Sequence, residues 1–404
     1  MKRLATLISA SLPVSFVGIA TWFGLYTFVN GFLVNGLGYS NEQWTEVTLW
    51  FIGSMVAWQL VCTDIAARLG RRNTVTISLV AGAAFYIGMT LTSDGLVIRA
   101  LMMLAGFTQA VALVTWQPLI AELGRDKPGR ALVINQLVNA GVSALTLIIG
   151  GRIIASASYQ SAFIVIGVMC AVCAVIFHLV SREFSASQTE VVSLLRIVRT
   201  RVSAGRLATG SFIVLCVGLC LEPFNYLTVN QLLPNLARDA HQLLDSDIST
   251  FIALGRLPAL LSLFVLSAII DRVDALKAYG AGIALVGLCV VGMGLSPDVN
   301  SLIGIFLLYF LIQGTVWGSS ASAVNASVEP AMRDSAFAIT SILLSIALFG
   351  VGFVHNRMLS AGLTVAQVFT FAGVIPVFTG AGLVIYSLRR KQVKMAPSLA
   401  KHTD

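Results

Sequence analysis

Charge is what this sequence lacks most. Its 404 residues hold 26 Lys and Arg and 18 Asp and Glu, so only 11% are charged. A soluble domain carries about 25%. A water-soluble fold of this length must clothe its core in polar side chains, and too few are present. An ordinary soluble enzyme and a disordered protein are both excluded. Cysteine is scarce as well: there are six, Cys62, Cys170, Cys173, Cys216, Cys220 and Cys289. All six sit inside apolar runs, which excludes a secreted disulfide scaffold. Cys170 and Cys173 form a CxxC, but without a second Cys or His pair nearby it reads as helix packing rather than a metal or redox site. The four histidines, His178, His241, His355 and His402, have no ligand-type spacing. No GxxxxGK[ST] loop is present, so ATP is not expected to drive this protein. HExxH and GxSxG are absent too, which argues against a membrane-embedded enzyme. No cofactor and no metal are expected.

What the chain does have is apolar length. Hydrophobic residues make up 57%, and the mean hydropathy is +0.88. A helix needs about 20 mainly apolar residues to cross about 30 Å of hydrocarbon. Unbroken runs such as 211–221 and 281–295 contrast with the period-two alternation of a transmembrane barrel. The expectation is an all-α, polytopic membrane protein of about twelve helices. The first run, after Met1-Lys2-Arg3, reaches about Val34 and is too long for a cleaved signal peptide. Spans are predicted at 10–35, 46–67, 74–93, 95–121, 131–153 and 159–180. Six more follow at 207–233, 247–270, 277–295, 299–325, 335–356 and 365–388.

The cations orient these spans. Of the 26 Lys and Arg, 21 fall at the chain termini, in the even-numbered connections or in the central polar stretch. Arg152, Arg238 and Arg357 fall on the opposite side, while Arg99 and Arg256 lie within spans. The positive-inside rule then places both termini in the cytoplasm, as in a bacterial-type inner membrane. An odd number of spans would scramble the split. The net charge of +8 is explained by the bilayer, with no nucleic-acid partner needed.

The polar stretch 181–206 divides the chain into two six-helix bundles, 1–180 and 207–390, followed by a cytoplasmic tail, 391–404. The halves carry related landmarks. Arg130, in Pro128-Gly-Arg, and Arg333, in Pro330-Ala-Met-Arg, are 203 residues apart. Ala67 and Asp271, in the connections after spans two and eight, are 204 apart. Two landmarks at nearly one offset indicate a pseudo-symmetric repeat, a common transporter construction. The central stretch also has Leu194, Leu195, Ile197 and Val198 among Arg196, Arg199 and Arg201. That pattern fits a short helix on an anionic leaflet as well as a solvated linker.

On these landmarks the chain resembles the major facilitator superfamily of secondary transporters along essentially its whole length. That family's loop after span two reads G-x-x-x-D-R-x-G-R-R/K. Arg68, Gly70, Arg71 and Arg72 match its basic part. Ala67 replaces its aspartate and Thr63 its leading glycine, while Asp64 stands one helical turn before Arg68. In the second half, Asp271-Arg272 keeps the acid. The resemblance implies a gating role for Asp64, Arg68, Gly70, Arg71, Arg72, Arg130, Asp271, Arg272 and Arg333. Cations at helix ends beside carboxylates and helix dipoles can hold one state closed; topology anchoring alone is the plainer alternative. Arg99 stands where the family has an arginine early in span four, although Met102-Met103 follow it. The span-five glycine-proline pattern of drug/proton antiporters is missing, with Thr146-Leu147 there before Gly150-Gly151.

Charges inside a span each cost about 2.5–3.5 kcal/mol on insertion scales, so they mark functional candidates. Glu222 lies about 15 Å deep in span seven and Arg256 about 14 Å deep in span eight, at 1.5 Å per residue. Each is close to a proline, Pro223 and Pro258, which opens the backbone. The expectation is that they pair and carry proton coupling; a permanent structural ion pair is the alternative. Arg99, near a span end, either faces substrate or snorkels. Trp22, Tyr26 and Asn30 share one face of span one at a spacing of four. Span four carries Gln109, Trp116 and Gln117, span seven Asn225 and Tyr226, and span ten Gln313 and Trp317. The resemblance makes these spans the cavity wall, though aromatic side chains in membrane helices often only pack. Asn135 and Asn139 are expected to bond neighbouring helices.

The reading is a monomeric secondary transporter using alternating access, coupled to protons or another ion. Buried arginines favour an anionic or zwitterionic small-molecule solute. Efflux of amphipathic drugs is the rival, and a channel or membrane enzyme a more distant one.

Overall fold

A computed structural model describes residues 2–116, 119–120, 128–182, 209–269, 273–328 and 333–399. No strand occurs among them. Eleven of their helices are long and apolar enough to cross a membrane. In the first half these are α1 (Lys2–Ile19) with its continuation to Gly36, α2 (Asn41–Leu69), α3 (Arg71–Thr90), α4 (Gly95–Val111), α5 (Pro128–Ser156) and α6 (Tyr159–Val180). The second half has α7 (Gly210–Leu221), α8 (Pro223–His241), α9 (Asp245–Leu254), α10 (Arg256–Ile269), α11 (Ala275–Gly294), α12 (Val299–Ser327), α13 (Arg333–Ser360) and α14 (Val365–Leu399).

The expected eighth span, 247–270, is not one helix but two, α9 and α10, broken at Gly255. Pro258 explains the break: it has no N–H, and its ring meets the carbonyl of Leu254 one turn back. Pro223 acts in the same way on span seven, where Glu222 stands between α7 and α8. That span also runs past its expected end at 233, so His241 closes a helix instead of lying in a loop. Polarity does not stop α8, because Gln231, Asn235 and Arg238 all find hydrogen-bond partners.

Span one is unusual in its winding. After Ile19 it continues as π-helix over Ala20–Val29 and again over Phe32–Gly36. Wider turns redirect carbonyls, and in a bilayer each must find a donor. Side chains supply them: Tyr86 Oη donates to the Ala20 carbonyl at 2.5 Å. Gln109 Nε2 donates to the Gly18 carbonyl at 2.6 Å.

The chain forms two compact units. One holds the described part of 1–200 with Asn230–Arg256 and Phe349–Gly362; the other holds the described part of 201–229 with Leu257–Leu348 and the described part of 363–404. In the first, α2 packs on α4, α3 on α6, and both α1 and α9 on α5. Rows of bulky aliphatic side chains on α6, from Ile164 to Leu179, stay exposed, as a lipid-facing surface requires. The core is aromatic: Trp44, Tyr26, Tyr86, Phe51 and Phe85 are completely buried.

The second unit is built on glycine. Gly280, Gly287 and Gly294 recur every seven residues on α11; the first two face Gly380 and Gly373 of α14, and the third faces the Ala366 carbonyl and Phe369. A Cβ on Gly287 would stand 2.8 Å from the Gly373 carbonyl oxygen, and one on Gly380 only 2.3 Å from that of Gly280. Without Cβ atoms the two backbones close to contact distance, where van der Waals attraction replaces the hydrophobic force that lipid cannot supply.

Helix starts are secured by short polar caps. Asp94 Oδ1 accepts from the backbone N–H of Leu96 at 2.8 Å and of Val97 at 3.1 Å, covering two donors α4 would leave bare. Asp94→Ala is expected to lower stability by about 1 kcal/mol. A thermal melt in detergent would show it, and an unchanged midpoint would refute it.

Candidate functional site

In the second unit the buried acid is Glu222, 7% exposed at the α7–α8 break. Pro223 lacks the N–H that would reach the Leu219 carbonyl, and the Glu222 carbonyl accepts from Asn225 N at 2.9 Å and Tyr226 N at 3.4 Å. Its carboxylate accepts from Tyr279 Oη of α11 at 2.8 Å. The amide of Gln313 lies beside the same carboxylate but does not reach hydrogen-bond geometry. Asn225, one turn on, is fully buried. It donates through Nδ2 to the Ile283 carbonyl at 3.5 Å, at the outer limit of a hydrogen bond. The result is an acid with uncharged polar groups of α11 and α12 beside its carboxylate. Such a site can hold a carboxylate or a neutral carboxylic acid, the requirement for binding and releasing a proton. Tyr226 and Trp317 meet edge to face at 6.3 Å, with Trp317 36% exposed.

Arg256 belongs to the first unit and is 4% exposed. It opens α10, and its guanidinium lies 3.5 Å from the centre of the Phe23 ring of span one. A cation over an aromatic face recovers some of its desolvation energy, about 2 kcal/mol where water is excluded. The stack also fixes the guanidinium plane, which suits it to planar anions. Beside it in sequence, Trp22 packs on Tyr26 at 5.4 Å and on Phe51 at 5.5 Å. Tyr26 in turn meets Trp44 at 6.2 Å.

Other predicted residues have local partners. Gln109 bonds span one, reaching Thr21 Oγ1 at 2.7 Å besides the Gly18 carbonyl. Trp116 Nε1 donates to Asn135 Oδ1 at 3.3 Å, so Asn135 does bridge helices. Asn30 accepts from Arg238 Nη1 at 2.8 Å. Arg99 is about one-third exposed and paired with Glu46 of α2 at 2.8 Å. Gln117, Asp271 and Arg272 lie outside the described residues, as do the side chains of Arg130 and Arg333. Most of the 181–206 stretch does too.

The basic loop after span two has a clear local logic. Gly70 holds φ +80° between α2 and α3, a conformation that disfavours any other L residue. Arg72 donates from Nη2 to the His178 carbonyl at 2.5 Å and from Nε to Ser181 Oγ at 3.1 Å. It thereby satisfies the end of α6, where carbonyls are bare and the helix dipole is negative. Asp64 and Arg71 are partly buried, and Arg68 is exposed.

Sequence reasoning missed Tyr279, one of 8 tyrosines with nothing local to mark it. It also missed the polar set around Arg238 and Asp245, although Arg238 was visible as one of three cations set apart from the 21 grouped at the termini and even-numbered connections.

The eleven apolar spans and the helical architecture of the described residues define an all-helical membrane protein. The chain matches the family model described as Major Facilitator Superfamily over residues 11–352. It belongs to that family and is a secondary transporter. No curated protein matches it in sequence. Among solved structures, a variant of the nucleoside transporter NupG superposes with TM-score 0.75 at 12% identity, covering 94% of this chain and 99% of that one. An auto-inhibited POT family peptide transporter gives 0.75 at 12%, over 96% and 97%. The xylose transporter XylE from E. coli, inward open, gives 0.70 at 14%, over 94% and 95%. Likeness at this identity establishes the fold.

Proposed function

We propose that this protein moves a small anionic or zwitterionic organic solute by alternating access, driven by a proton gradient as symport or antiport. The observation that carries the reading is Glu222, a carboxyl buried at a helix break with a tyrosine hydroxyl on one oxygen. A carboxyl group kept in such a place costs stability that packing alone would not maintain, so a role in proton binding accounts for it. Arg256, buried and stacked on Phe23, is the group that recognises the carboxylate or phosphate of the solute. Binding of proton or solute then biases a two-state equilibrium by its differential affinity for the two states. The protein acts as a monomer in a bacterial-type inner membrane, with both termini cytoplasmic. The 1–180 and 207–390 bundles supply the two halves of the rocking motion.

The test is uptake and efflux in proteoliposomes, using a panel of organic anions, zwitterions and amphipathic dyes with and without a pH gradient. Saturable, gradient-dependent movement of a carboxylate- or phosphate-bearing solute is expected. Gradient-driven movement of dyes alone would replace this reading with drug efflux. Conductance without saturation would replace it with a channel.

A further inference from the structure

Arg238 and Asp245 stand seven residues apart, on α8 and α9, across a turn in which Gln242 takes φ 53°. Their side chains are 9% and 13% exposed. Nε and Nη2 of Arg238 both reach Asp245 Oδ1, each at 2.8 Å. The pair therefore belongs wholly to the α8–α9 hairpin.

Three further bonds tie this hairpin to the first half of the chain. Arg238 Nη1 donates to Asn30 Oδ1 at 2.8 Å. Asn35 Nδ2 donates to Asp245 Oδ2 at 2.9 Å, and the Tyr159 hydroxyl donates to the same oxygen. Each joins one charged group to one neutral partner. Gly31 makes the approach feasible, since a Cβ there would stand 2.8 Å from the Tyr159 hydroxyl and 3.1 Å from Asp245 Oδ2. Gly151 does the same along α9, where a Cβ would collide with Ser249 Oγ at 1.8 Å.

We propose that this cluster is a latch that closes the side opposite the chain termini, and that it opens without separating its two charges. This rests on the alternating-access reading above, in which rocking of the two bundles on that side frees the hairpin of span one and α6 in one of the two states. If the salt bridge itself ran across that seam, opening would strand a cation and an anion in a partly dry crevice. Here Arg238 and Asp245 leave together as a neutral pair. What is exchanged for water is three hydrogen bonds between charged and neutral groups, the stronger class of hydrogen bond but without the cost of parting two ions. The device yields a closed state that is specific in geometry and insensitive to salt. It depends on neither the coupling ion nor the solute.

The measurement is the distance distribution between spin labels at Gln160→Cys on α6 and Leu244→Cys beside α9, with the native-cysteine background recorded in the parent. Both sites are exposed. The parent should show one short-distance population. Adding Tyr159→Phe and Asn35→Ala should raise a longer-distance population at least fivefold. Raising NaCl from about 50 to about 500 mM, which cuts the Debye length about threefold, should change the parent by less than twofold. An unchanged distribution in the variant would overturn the latch. A fivefold opening by salt alone would overturn its charge-neutral operation. Should the double variant not fold, Tyr159→Phe alone carries the test, because its ring keeps the contact with Phe32 at 6.0 Å. No solute is needed, so failure here is distinct from failure of the proton-coupled reading.

Discussion

Replacing Glu222 by glutamine is expected to uncouple transport from the pH gradient while sparing exchange. Gradient-driven accumulation in proteoliposomes should fall at least about tenfold, roughly the effect of losing 1.4 kcal/mol of coupling. Counterflow of labelled against unlabelled solute should change by less than about threefold. The difference between the two readouts is the point of the experiment. Glutamine has the volume of glutamate and still accepts from Tyr279 Oη, which lies 2.8 Å from the native carboxylate. It removes the charge and the ability to gain and lose a proton, standing in for the protonated acid. A purely structural acid predicts that both readouts fall together, or that neither does. Tyr279→Phe supplies the gradation: it leaves the acid but deletes its donor, so gradient dependence should weaken without vanishing. Gradient-driven uptake that survives in Glu222→Gln would sink the assignment, and the coupling group would have to be sought elsewhere.

The second large effect concerns stability. Gly373→Val should cost about 3 kcal/mol or more, at or above the upper end of overpacking, and show as a lowered melting midpoint and a smaller monodisperse fraction in detergent. A Cβ at Gly373 would lie 2.6 Å from Val291 N and 2.7 Å from the Gly287 carbonyl oxygen. Those are backbone atoms, which cannot swing aside as a side chain can. The α11–α14 pair would have to separate along its length. Gly382 on the same helix is the control, because a Cβ there meets nothing within 4 Å. Gly382→Ala should be neutral or add up to about 1 kcal/mol through helix propensity. Equal damage from both substitutions would show that close approach at Gly373 is not what holds these helices.

The transmembrane plan was legible because it rests on terms that add residue by residue. Apolar length marks each crossing, whatever the helices touch. Prolines gave away the two breaks that hold Glu222 and Arg256, since the missing N–H at Pro223 and Pro258 acts on the nearest turn. The π-helical winding of span one was not legible, because the carbonyls it redirects are answered by Tyr86 and Gln109 from other helices. Nor was the division of labour among polar residues. Asn30, Gln109 and Trp116 have the composition of a cavity wall, yet each bonds protein.

Composition, hydropathy and charge placement thus determine that this chain is an all-α membrane protein with buried acid and base at broken helices. They do so because desolvation of charge and backbone is a local cost in lipid. Tertiary structure alone decides what each buried group meets: Tyr279 against Glu222, 57 residues away; Phe23 under Arg256; and Asn30 against Arg238, 208 residues away. A hydrogen bond or a ring stack needs positioning to a few tenths of an ångström, and that is set by where whole helices pack, which no single stretch of sequence encodes.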